Sequence, residues 1–150
     1  EPCVQQLRQF VLEGVFHVAM EMTANGPASL ARKRLNNHTW FHVTRHTGHF
    51  VAHNHALASW SAVYCVSEGA DPNCADIGGV LRMFDPRSGA NAFVDAANES
   101  LRAPFAIGGL DLRLKPGQLV VFPSYLFHEV TPYYGSGTRI TVASNCWFTD

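Results

Sequence analysis

Residues 38–66 read HTWFHVTRHTGHFVAHNHALASWSAVYCV. The stretch is dense in Thr, Val, Trp, Phe and Tyr and is broken by Gly48 and Asn54, which is the signature of short pleated strands. It also holds six of the eight histidines, His38, His42, His46, His49, His53 and His55. The spacing of four in His38, His42 and His46 would put them on one side of a helix, but their β-branched and aromatic neighbours favour a strand. On a strand these three share a solvated face and carry no chemistry. Alternation then places His49, Val51, His53 and His55 together on one side.

Working outward, the same texture continues to the C-terminus. Strands are expected near 39–45, 49–55, 60–67, 79–84, 104–107, 110–114, 118–122, 125–131 and 138–148, separated by Gly, Pro, Asn and Asp clusters. Asp85-Pro86-Arg87-Ser88-Gly89, Lys115-Pro116-Gly117 and Tyr134-Gly135-Ser136-Gly137 carry turn chemistry. Residues 71–76 and 90–102 read as excursions, the second weakly helical. Before the β region, Val4, Leu7, Phe10, Val11, Val15, Val18 and Met22 recur at spacings of three and four, as on an amphipathic helix that Asn25-Gly26-Pro27 stops. A short helical piece is expected over 29–35. The expected fold is mainly β, a jelly roll with an N-terminal amphipathic helix packed on it. It is organised as one domain over 1–150, helical over 4–35 and a jelly roll over 38–148.

Composition narrows the partners. A chain of 150 residues with 47% hydrophobic and 15% charged residues has the make-up of a soluble folded domain with a real core. Its net charge of -1 offers no basic surface for tracking phosphates, so nucleic acid is not an expected partner. No apolar run approaches the ~18 residues of a membrane span, and no leader pattern opens the sequence. Compartment and oligomeric state stay undetermined. The four cysteines, Cys3, Cys65, Cys74 and Cys146, contain no C-x-x-C pair. Cys65 and Cys146 lie in strand-like apolar contexts, as small core residues do, whereas Cys74 sits in a polar loop.

The chemistry rests on a few positions. His53 and His55 lie two apart, about 6.6 Å along a strand at ~3.3 Å per residue, close enough to converge on one metal ion. Imidazole suits Fe, Zn, Cu and Ni alike, so the pair leaves the metal open. His128 follows a buried-type strand and a Pro break. Arg139 opens the run Arg139-Ile140-Thr141-Val142, where Arg139 and Thr141 share a face. An inward Arg on an apolar strand demands an anion. Two histidines on one strand, a distal histidine and an inward Arg with a neighbouring hydroxyl make a metal-plus-carboxylate site.

Over residues 38–148 the sequence resembles the Fe(II)/2-oxoglutarate-dependent oxygenases, which are built on a double-stranded β-helix. His53-Asn54-His55 stands at the family's His-x-Asp, and Gly78-Gly79-Val80-Leu81-Arg82-Met83-Phe84 is similar to a strand of prolyl hydroxylases. His128-Glu129-Val130 matches their distal His, with Arg139 at the expected spacing beyond it. The likeness is greatest to a branch with His-x-His and a Phe-Pro-Ser…His ending. The resemblance implies Fe(II), 2-oxoglutarate and O2 as cofactor and cosubstrates. It implies His53, His55 and His128 as metal ligands, with Asp85 as an alternative carboxylate, and no catalytic residue beyond the ligands. Arg139 and Thr141 would hold the cosubstrate, and Ser61 is a candidate for the contact that prolyl hydroxylases make with a tyrosine where this chain has Cys65. Trp40, His42, His49 and Trp60, with the loop 70–77, are candidates for lining the substrate side at the open end of the jelly roll. The expected reaction hydroxylates a C–H bond of a small-molecule or peptide substrate and releases succinate and CO2. Two other readings fit the histidines: a cupin-like three-His dioxygenase that uses no 2-oxoglutarate, and a non-catalytic jelly-roll binding module.

Overall fold

The computed structural model describes residues 1–69, 71, 76–87 and 89–150. Cys74, most of the 70–77 loop and Ser88 lie outside the described residues. The chain opens with α1 (Pro2–Met22) and a 3-10 turn at Pro27–Ser29. Eight strands follow: β1 (Arg34–Thr44), β2 (Phe50–His53), β3 (Trp60–Ser67), β4 (Leu81–Met83), β5 (Leu110–Leu112), β6 (Leu119–Pro123), β7 (His128–Val130) and β8 (Arg139–Thr149). They form two antiparallel sheets of four strands, ordered β1-β8-β3-β6 and β2-β7-β4-β5.

The first sheet is covered on both faces, and residue alternation along β3 shows how. Ser61, Val63 and Cys65 face the second sheet, where Cys65, Leu81, Met83, Leu114 and Phe122 form a buried core. Trp60, Ala62 and Tyr64 face α1, which packs Val11 and Val15 against Ala62 and Cys146. Pro2 opens the helix at a position where its missing N–H is no loss. Gly14 lies where a Cβ would come 2.6 Å from Leu119 Cδ2, so a larger residue there would require the Leu119 side chain on β6 to shift. The buried stripe of α1 is Val11, Val15 and Ala19, whereas Val4, Phe10 and Met22 from the expected stripe remain substantially exposed. Cys65 and Cys146 are buried free thiols, and Cys3 is an exposed one.

Several expected boundaries move. The helical piece expected over 29–35 is only the single 3-10 turn, because Arg34 already pairs with Thr149 and β1 runs its full eleven residues against β8. The strand expected near 104–107 is irregular chain, fastened instead by the Arg87 guanidinium, which donates to Pro104 O and Ala106 O. Residues 90–102 form turns rather than helix. The strand expected over 125–131 shrinks to β7, because Leu126 N–H closes a turn on Pro123 O. Among the described residues no helix is long and apolar enough to cross a membrane.

Candidate metal centre

β2 and β7 pair so that His53 and His128 stand directly opposite one another. Their ring centroids are 4.4 Å apart, and His55 completes the group at 5.0 Å from His53 and 5.2 Å from His128. One nitrogen from each ring lies within 4.8 Å of the others. His55 is not on the strand. It follows the end of β2, where its N–H donates to Ser124 O, so the turn after β6 sets its position.

Backbone carbonyls fix two of the rings. His53 Nδ1 lies 2.7 Å from Val51 O and His128 Nδ1 lies 2.9 Å from Leu126 O. A carbonyl only accepts, so both Nδ1 atoms carry the proton and both Nε2 lone pairs are free for a metal. Burial, and after it the neighbouring His128 and His53, push the His55 imidazole down to about 4. Burial also lowers His128, against the opposing pull of its bond to Leu126 O. Both shifts favour the neutral imidazole at His55 and His128, and three ring nitrogens together suit a divalent transition metal.

The histidines line a cavity of about 130 Å³ between the sheets, together with Trp40, His42, Phe50, Ser61, Arg139 and Thr141. Arg139 is 4% exposed, and among the described residues its Nη1 has no hydrogen-bond partner. Burial pulls its guanidinium below its ordinary value, with partial relief from Cys65 and Tyr133. A buried cation with an orphaned donor beside three nitrogens able to hold a metal fits an anionic group that could reach that metal as well. Thr141 is buried on the same strand face. Ser61 also borders the cavity, but its hydroxyl is engaged: it donates to Asn145 Oδ1 at 3.0 Å and, its single proton thus used, accepts from Ser124 Oγ at 2.7 Å.

The other expected positions divide. Trp40 borders the cavity and packs edge-on to His55 at 6.0 Å. Trp60 points the opposite way, into the helix-facing core. His49 lies outside the cavity lining, exposed, with Nδ1 on Thr47 O. Alternation fails here because the β2–β7 register shifts between Phe50 and His53, so Phe50 rather than Val51 shares the cavity with His53. Asp85 lies outside the histidine group. Arg87 grips both its carboxylate oxygens, and the N–H groups of Arg87 and Gly108 donate to them as well.

His42, expected among the lining residues, borders the cavity, and Asn145 borders it without having been singled out. The signal for His42 was present: two residues from Trp40 on one strand, it must share Trp40's face.

A family model described as "Putative 2OG-Fe(II) oxygenase" matches residues 38–145. Among solved structures, a prolyl-4-hydroxylase from Pseudomonas putida is similar in fold, with a TM-score of 0.50 and 24% sequence identity. The match covers 73% of this chain and 50% of the hydroxylase, so the chain spans about half that protein's length. No curated protein sequence matches.

Proposed function

The chain belongs to the 2OG-Fe(II) oxygenase family, and from that premise we propose that it hydroxylates a C–H bond of a small-molecule or peptide substrate, with release of succinate and CO2. In this reading the two sheets are a jelly roll, the double-stranded β-helix, in a single domain over residues 1–150. His53, His55 and His128 hold Fe(II), and Arg139 with Thr141 holds the distal carboxylate of 2-oxoglutarate. Bound Fe(II), 2-oxoglutarate and O2 supply the oxidising chemistry of the family. The chain supplies position, charge balance and exclusion of water.

Each residue has a definable task. Arg139 offers a planar fork of N–H donors matched to a carboxylate, and the Thr141 hydroxyl adds another. The three imidazoles bring no negative charge, so the ligand that balances the metal must itself be an anion. Ser61 serves by holding Asn145 at the cavity wall rather than by touching the cosubstrate. Trp40 closes the side of the cavity next to His55.

The observation that carries this reading is Arg139, buried and lacking a partner at Nη1 in the same cavity as the histidines. A three-His dioxygenase without 2-oxoglutarate, or a binding module with incidental histidines, gives that charge no counterpart. The test is anaerobic addition of Fe(II) and 2-oxoglutarate followed by air. The expected result is a visible charge-transfer band, then succinate. A protein that takes up iron and neither binds nor consumes 2-oxoglutarate would sink the proposal.

A further inference from the structure

The cavity that holds Arg139 contains a hydrogen-bond donor whose proton position is dictated by its neighbour. Trp40 Nε1 can only donate, so its 2.7 Å contact with His42 Nε2 makes that nitrogen the acceptor. The neutral ring must then carry its hydrogen on Nδ1. Among the described residues no protein group accepts from that Nδ1, and His42 is one of the residues that line the cavity. The ring is held in place by Phe50, at 4.2 Å between centroids, and by the edge-on Trp40 at 6.1 Å. Across the sheet His42 stands opposite Thr141, in the register that sets Thr44 opposite Arg139.

The lining of the cavity is lopsided in its chemistry. Among the described residues it includes Arg139, Thr141 and His42, each able to donate a hydrogen bond, and no carboxylate. Such a set recognises an anion. Burial, together with the cation of Arg139, lowers the His42 pKa, which keeps the ring in the neutral form that the Trp40 bond requires.

Resting on the function proposed above, we propose that His42 is a further cosubstrate-binding residue, its Nδ1–H donating to a carboxylate oxygen of 2-oxoglutarate, and that Trp40 is the positioning residue that fixes the donating tautomer. This gives Trp40 a defined role through His42, beyond closing the cavity wall.

Two measurements test it. In metal-free protein, 15N spectra of the histidine rings should show His42 protonated at Nδ1, and Trp40→Phe should turn that signal into a mixture of tautomers. In anaerobic titrations of the Fe(II)-loaded protein with 2-oxoglutarate, His42→Phe should weaken binding on the order of tenfold to a hundredfold, as expected for losing a hydrogen bond to a charged group. Fe(II) affinity, measured alone, should not change. His42→Asn, which keeps a donor near the Nδ1 position, should recover most of the loss. Unchanged 2-oxoglutarate affinity in His42→Phe, an equal loss of Fe(II) affinity, or an Nε2–H tautomer in the wild type would overturn the assignment while leaving the oxygenase reading intact. A wild type that binds Fe(II) but not 2-oxoglutarate would overturn both.

Discussion

Thr44 and Arg139 face each other across β1 and β8, and each carries a buried polar atom with no partner, Thr44 Oγ1 and Arg139 Nη1. Two adjacent orphans on the wall of one fold core are a standing penalty. An uncompensated buried charge is tolerated where something else meets it.

The first prediction follows from that penalty. Arg139→Met removes the charge while keeping most of the side-chain volume, so the ligand-free protein should become as stable or more stable, by up to about 1–4 kcal/mol. The same variant should no longer bind 2-oxoglutarate. Thermal unfolding of the Fe(II)-loaded protein with and without 2-oxoglutarate checks both halves: Fe(II) should raise Tm in both proteins, and adding 2-oxoglutarate should raise it further in the wild type only. A large loss of stability in Arg139→Met would mean that the guanidinium is already satisfied inside the protein.

Gly79 guards the room that Arg139 needs. It has a φ of +64°, and a Cβ there would lie 2.9 Å from Arg139 Cδ and 3.2 Å from Arg139 Nε. Gly79→Ala meets two obstacles, a left-handed backbone and a clash with the side chain that defines the anion site. It should lower stability by roughly 1–3 kcal/mol. It should also weaken 2-oxoglutarate binding, while Fe(II) binding at the histidines persists. Calorimetric titration separates the two effects, and equal loss of both ligands would contradict this account.

The histidine group predicts a different pattern. His128 is 4% exposed and reaches the metal position from the strand opposite His53. His128→Ala should abolish the charge-transfer band and the rise in Tm on adding Fe(II). His49→Ala, outside the cavity, should leave both as they are. Retention of the band in His128→Ala would remove that residue from the ligand set.

Much of this was legible in the residues themselves, and the exceptions have physical causes. The leading helix, most of the strands and the grouping of His53, His55, His128 and Arg139 were legible from apolar spacing and the order of motifs, although His55 reaches its place from beyond the end of β2 rather than by alternation along it. Trp60 was misjudged because an aromatic residue on a strand buries equally well on either face. Only the presence of α1 over the first sheet decides which way it points. His49 was misjudged because a register shift inside β2 is invisible to a rule of strict alternation. His42 was legible both as a lining residue and as one of a solvated row with His38 and His46, and its place in the cavity beside Trp40 shows which reading holds. Asp85 was legible two ways, as a carboxylate for the metal and as the opener of an Asp-Pro turn beside Arg87, and the structure pairs it with Arg87.

That partner gives the last prediction. The Arg87 side chain, then the Arg87 and Gly108 N–H groups, hold the Asp85 carboxyl well below the usual carboxylate range. A folded-state pKa below the unfolded value of about 3.9 means that the ionised carboxylate stabilises the fold at higher pH. That contribution must fade as pH falls below about 5 toward the folded-state value. Asp85→Asn should therefore be less stable than the wild type at pH 7. The difference should shrink steadily on acidification, because the wild type loses its charged contact while the variant has none to lose. Fe(II) affinity at neutral pH should be the same in both, since Asp85 spends its oxygens on Arg87 and the chain that Arg87 fastens near Pro104 and Ala106. Urea titrations across pH together with Fe(II) titrations decide the matter: a variant of normal stability that loses iron would return Asp85 to the metal.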